Sequence, residues 1–110
     1  MMTDNALTLM NPAGLYDPAP NGYSHVALVA AGARLVYIAG QRGETESGAL
    51  VPDFRLQVRQ ALRNIGACLA SAGAGPAQVL RTKIYVTDID AYVQEGHAEW
   101  LAFFGEHLPA

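Results

Sequence analysis

Residues 79–87 read Val-Leu-Arg-Thr-Lys-Ile-Tyr-Val-Thr, a run dominated by β-branched and aromatic side chains that predicts a strand. The residues before it predict a helix over 54–72. Phe54, Val58, Leu62, Ile65, Leu69 and Ala72 recur at spacings of four and three and so share one face. Asp53 suits the N-cap, and Gly73, Gly75 and Pro76 end the pattern. Before that helix, Leu35-Val36-Tyr37-Ile38-Ala39 predicts another strand, closed by Gly40-Gln41-Arg42-Gly43. Strand, helix and strand in this order allow a right-handed crossover if the two strands run parallel in one sheet.

Working outward, Asp88 and Asp90 read as turn and cap residues for a second helix of roughly residues 90–107. Its apolar stripe is Tyr92, Val93, Trp100, Leu101, Phe103, Phe104 and Leu108. Gly96 inside it costs about 1 kcal/mol against alanine, which predicts a close packing partner at that point. Toward the N-terminus, Ser24–Ala30 and Leu35–Ala39 read as an antiparallel hairpin turning at Ala31-Gly32-Ala33-Arg34. Ala6–Met10 reads as a short strand. Asp17-Pro18-Ala19-Pro20-Asn21-Gly22 reads as a stiff loop, because proline fixes φ and removes a donor.

The predicted order is β, β, β, α, β, α: an α+β layer of one mixed sheet with two helices on one face. Val26, Leu28, Val36, Ile38, Ile84 and Val86 exceed what two helices on one side can cover. Self-association is the expected cover for the second face.

The chain's 110 residues suit one domain, with 51% hydrophobic and 15% charged residues. That composition excludes disorder. Cys68 is the single cysteine, which excludes an intrachain disulfide. A net charge of −3 supplies no general drive toward nucleic acid or anionic membrane, so neither is an expected partner. No apolar run approaches the ~20 residues of a bilayer span. Met1–Asn5 lead into no long apolar core, so no secretory signal and a cytoplasmic location are expected.

His25, His97 and His107 are too far apart in sequence for a zincin-type pair, so no metal is expected. Gly40-Gln41-Arg42-Gly43 lacks the lysine of a phosphate loop. Cys68 reads as a packed thiol, and Trp100, Phe103 and Phe104 as core or interface. Arg55, Arg59 and Arg63 form a helical row, read as a solvated face or subunit contact rather than an anion site. Tyr23 and Gln41 stand where rigid strands hold loops, a placement that serves structural and binding roles alike.

Taken together, several segments resemble the RidA/YjgF family, also called L-PSP endoribonuclease-like or translation-inhibitor-like proteins. They are Asn21-Gly22-Tyr23-Ser24-His25-Val26, Val36-Tyr37-Ile38-Ala39-Gly40-Gln41, Gln57–Ile65, Val79–Asp88 and Phe103-Phe104-Gly105-Glu106-His107. The resemblance implies a chorismate-mutase-like fold in a homotrimeric barrel with ligand clefts between subunits. It implies cofactor-free hydrolysis of reactive imines and enamines to 2-oxo acids and ammonia, so the expected ligand is a small imine, enamine or 2-oxo acid. Carried over by position, the substrate-binding residues are Tyr23, Gly40, Gln41 and, less closely matched, His97, which falls near a position that is often asparagine.

The sequence also departs from the family pattern. Ala39 stands where many active members have serine. The family's carboxylate-gripping arginine and water-orienting glutamate follow a Pro-Ala pair, and this sequence stops at Pro109-Ala110. The expectation is therefore a single domain over 1–110 lacking the family's C-terminal strands, either because the folding polypeptide is longer or because the homologue is truncated. Three functions follow: an imine deaminase, a non-catalytic binding or regulatory trimer, and the nuclease named in the family's label, to which the net charge lends little support.

Overall fold

Asp53 accepts a hydrogen bond from the Leu56 backbone N–H at 3.0 Å and starts helix α1 (Phe54–Ser71) where the spacing predicts it. The other end closes as a Schellman motif around Gly73, whose φ is +75°. Gly73 N–H donates to Ala70 O at 3.0 Å and Ala74 N–H to Leu69 O at 2.8 Å. Arg34 reaches the same end and donates to Ala72 O at 3.0 Å, satisfying a carbonyl beyond the last helical turn. The computed structural model describes residues 6–110; the reading of Met1–Asn5 lies outside the described residues.

The second helical stretch starts on Asp88, which accepts from Ala91 N–H at 3.1 Å. It winds as α2 (Ile89–Ala91), a π-turn (Tyr92–Gly96) and α3 (His97–Phe104). This corrects the uninterrupted helix expected over 90–107. Gly96 has the close neighbour its position predicts: a Cβ there would lie 2.7 Å from Tyr92 Cδ1 and 3.1 Å from Val58 Cγ2.

The core lies between α1 and α3, where Leu62, Trp100 and Phe104 are buried. Val58, Ile65, Val79, Leu101 and Phe103 pack around them. Each large apolar side chain fully buried there contributes roughly 1.5–3 kcal/mol. Trp100 and Phe104 also stack at a tilt, with ring centroids 4.4 Å apart. Val93 is a correction to the apolar stripe. It is 63% exposed, because the wide turn displaces its position from the core side.

Strands β1 (Leu7–Met10) and β2 (Val26–Val29) pair antiparallel, with Leu7 opposite Val29 and Met10 opposite Val26. The fold class is α+β, but the sheet among the described residues has two antiparallel strands rather than the expected mixed set. The predicted hairpin partner of β2 is also corrected. The turn at Gly32 exists, with φ +85° and an Ala33 N–H to Ala30 O bond, yet residues 35–39 form no strand ladder with β2. Residues 79–87 likewise form none beyond two bonds to Ala110: Ala110 N–H to Leu80 O at 3.0 Å and Thr82 N–H to Ala110 O at 2.9 Å. The physical reason is that residue pattern sets which face a side chain takes, whereas a ladder requires a backbone partner in register. Sidedness does survive over much of 79–87, where Leu80, Thr82 and Val86 are half-buried and Arg81, Lys83, Tyr85 and Thr87 exposed.

The apolar face left by this arrangement is open. Leu28 is 57% exposed, Val36 46% and Ile84 45%, while Val26, Ile38 and Val86 are half-buried. No described helix is long and apolar enough to cross a membrane.

Candidate functional site

The proline loop folds as one 3-10 turn, Ala19–Asn21. Asp17 Oδ1 accepts from Ala19 N–H at 3.0 Å, and Asn21 and Gly22 N–H groups bond back to Pro18 O and Ala19 O at 2.8 and 2.9 Å. Pro18 is fully buried beneath it. The loop leaves through Gly22 at φ +83°, a conformation that favours glycine. Any Cβ on Gly22 would approach His97 Cε1 to 2.9 Å and Trp100 Cδ1 to 3.3 Å. The loop thus rests directly on α3, and the Trp100 indole N–H donates to Gly22 O at 3.1 Å.

That contact delivers Tyr23 to a cleft of about 290 Å³ lined by Tyr23, Thr82, Ile84, Tyr92, His97 and Trp100, among others. Two of the expected binding residues, Tyr23 and His97, therefore meet. Tyr92 and His97 face each other edge-on with ring centroids 6.4 Å apart, and burial pushes the Tyr92 phenol pKa up. The Tyr23 hydroxyl pairs with that of Tyr16. Ser24, buried beside it, donates from Oγ to Leu108 O, and its N–H to Pro109 O at 3.2 Å.

Gly40 and Gln41 line a different concavity of about 460 Å³, with Arg42, Glu44, Gln60 and Asn64 among its walls. Gln41 folds back to donate to Ala39 O at 3.1 Å. The loop beyond is held by Asn64, whose amide donates to Arg42 O at 3.0 Å and Glu44 O at 2.9 Å. Gly43 lies flat against α1, since a Cβ there would meet Gln57 O at 2.6 Å. Within one chain, then, the four expected residues divide into two pairs on two concavities.

The arginine row is not a uniformly solvated face. Arg59 grips Glu99 with two bonds, Nε to Oε1 at 2.9 Å and Nη2 to Oε2 at 3.0 Å. Arg55 adds Nε to Oε2 at 2.8 Å. This clamp ties α1 to the helix that carries His97 and Trp100. Hydrogen bonds from Arg59 and then Arg55 hold the Glu99 carboxyl at about 2, down from 4.5.

Sequence reasoning missed Tyr92 and Trp100 as cleft walls, reading Tyr92 as part of the helix's apolar stripe and Trp100 as core or interface; Trp100 is core as well as cleft wall. Both are buried and line the cleft, so their burial pattern matches that of core residues. Among the described residues, no group of three or more His, Cys, Asp or Glu side chains gathers around a point fit for a metal ion.

The α+β architecture has a counterpart among solved structures, and the sequence has counterparts among known proteins. Residues 16–110 match the family model described as Endoribonuclease L-PSP. The chain belongs to this family, the RidA/YjgF group its segments resemble. A 2-iminobutanoate/2-iminopropanoate deaminase of Rattus norvegicus is 34% identical over 96 residues, covering 84% of this chain and 67% of that protein. A protein of the same name from Salmonella typhimurium is 31% identical over 64 residues, covering 58% of this chain and 49% of that one. The chain therefore spans two thirds of the first relative and about half of the second. The crystal structure of the conserved Rid family protein YyfB from Yersinia pestis, described as of unknown function, superposes with a TM-score of 0.78 at 31% identity. That superposition covers 96% of this chain and 80% of the other.

Proposed function

We propose that this chain works as an imine deaminase, hydrolysing small 2-imino acids and their enamine tautomers to 2-oxo acids and ammonia. The observation that carries the reading is the meeting of Tyr23 and His97 on one 290 Å³ cleft, in a chain similar over most of its length to a deaminase of that name. Water adds to the imine carbon, and the C=N bond becomes a C–N single bond in a carbinolamine. A proton moves from oxygen to nitrogen, the C–N bond breaks, and ammonia leaves as the C=O bond forms. The reaction needs a held substrate and a placed water, and no redox step or group carrier.

In this reading Tyr23 and His97 contact the ligand from one subunit, and Gly40 and Gln41 contact it from the neighbouring copy of a homotrimer. The open apolar face at Leu28, Val36 and Ile84 supports such an assembly, because a patch of this kind favours a partner surface over water. Ammonia release from freshly generated 2-iminobutanoate tests the activity. Release well above the buffer rate is expected, and a rate equal to buffer from a trimeric preparation overturns the reading.

One observation favours a second reading, a binding or regulatory trimer. None of the described residues lining the cleft is arginine or lysine, the groups that grip a carboxylate most strongly. Calorimetry separates the two. A deaminase prefers 2-oxo acids over neutral analogues of the same size, and a cleft without a cationic anchor shows no such preference.

A further inference from the structure

Tyr16 sits in an exposed loop, yet three contacts join it to its surroundings. Its hydroxyl pairs with the Tyr23 hydroxyl. Its carbonyl oxygen accepts from His25 Nε2 at 2.9 Å, so that ring nitrogen carries the proton. Its ring meets the His25 ring edge-on, with centroids 4.9 Å apart and planes at 82°. The same imidazole meets the Tyr23 ring edge-on at 5.7 Å and 85°. His25 is fixed in turn: its backbone N–H donates to Asn11 Oδ1 at 2.7 Å, and it directly precedes β2.

We propose that Tyr16 and His25 are positioning residues for the Tyr23 hydroxyl at the cleft, an inference that rests on the reading of Tyr23 as a ligand contact. A phenol offers one proton and two lone pairs, and its hydroxyl rotates to suit its partners. A lone Tyr23 would leave that proton undirected. Either hydroxyl can donate within the pair; when Tyr16 donates to Tyr23, the Tyr23 proton is released toward the cleft, and the accepted bond makes it a stronger donor. The group it meets is an oxygen of a 2-oxo acid, or the carboxylate of the corresponding imine. The His25 imidazole between the two rings fixes their spacing and keeps the hydroxyls facing each other.

Tyr16→Phe removes the hydroxyl and keeps the ring against His25. In protein carrying tyrosine labelled with carbon-13 at Cζ, the Tyr23 resonance is identified by its loss in Tyr23→Phe. It is expected to move in Tyr16→Phe; an unmoved resonance overturns the pairing. Calorimetry with 2-oxobutanoate should show about fivefold weaker binding in Tyr16→Phe, the scale of one hydrogen bond. That loss should vanish when the change is made in a Tyr23→Phe background, because Tyr16 then has no hydroxyl to direct. Additive losses in the double variant overturn the positioning role, since a merely structural Tyr16 acts independently of the Tyr23 hydroxyl. Wild-type protein that neither binds 2-oxobutanoate nor releases ammonia removes the deaminase reading, while a Tyr23 resonance displaced in Tyr16→Phe still upholds the hydroxyl pair.

Discussion

The indole N–H of Trp100 donates to the carbonyl oxygen of Gly22 at 3.1 Å, joining two residues 78 positions apart in the chain. The bond is buried and does two things. It satisfies a donor in the core between the helices, and it sets the height of the proline loop above the cleft.

Trp100→Phe keeps an aromatic ring against Phe104 and leaves the Gly22 carbonyl without this donor. Urea denaturation should report a loss of roughly 1–3 kcal/mol, the cost of a buried polar group left unpaired. Ligand affinity should fall as well, because Tyr23 follows Gly22 directly.

Two helical glycines should respond in opposite directions to alanine. At Gly96 the new methyl would lie 2.7 Å from Tyr92 Cδ1, so Gly96→Ala should lower stability by about 1–3 kcal/mol despite alanine's better helix propensity. At Gly66 the nearest atom to a Cβ is Phe103 Cε1 at 3.5 Å, an ordinary contact. Gly66→Ala should therefore raise stability by up to ~1 kcal/mol. Thermal unfolding of the two variants checks both signs.

The Glu99 clamp predicts an acid-dependent stability. The folded-state pKa of Glu99, about 2, lies below its ordinary value of 4.5. The clamp's contribution is therefore complete above pH 4.5, declines as pH falls toward 2, and is gone below it. Wild type should exceed Glu99→Gln in stability at neutral pH, and the gap should close across that window. Added salt should narrow it too, because both guanidinium groups face solvent.

Leu28→Glu places a charge on the open apolar face without touching the helical core. Sedimentation should show the wild type as an assembly and the variant shifted toward a single subunit. A wild type that sediments as a compact single subunit at working concentration removes the proposed trimer.

Helix α1 was fully legible in the sequence, because every device that makes it is local: the Asp53 cap, the four-and-three spacing and the Gly73 stop. The strands were legible only in part. The pattern of residues 24–30 announces a strand, but β2 pairs with β1 across the proline loop, and residue types do not name a backbone partner. Glu99 was invisible for a related reason. Its arginines lie 40 and 44 positions away, beyond any same-helix rule. Tyr23 stood out as a loop residue held by a strand, its ligand role and His97 came from family resemblance, and the fold brings the two to one cleft. Tyr92 and Trp100 were hidden there because the wall of an aromatic cleft and a hydrophobic core impose the same periodicity.

The wide winding at Tyr92–Gly96 has a consequence for how this fold tolerates change in length. A π-turn absorbs one residue more than the α-helix around it, while the helix on either side keeps its phase. A chain one residue shorter at this point can wind through it as ordinary α-helix, with Trp100 and Phe104 still turned to the same neighbours. The turn is thus a slack link in an otherwise fixed helix. Its extra residue lies before His97, so a change in length there leaves His97, Trp100 and Phe104 in phase with one another on α3.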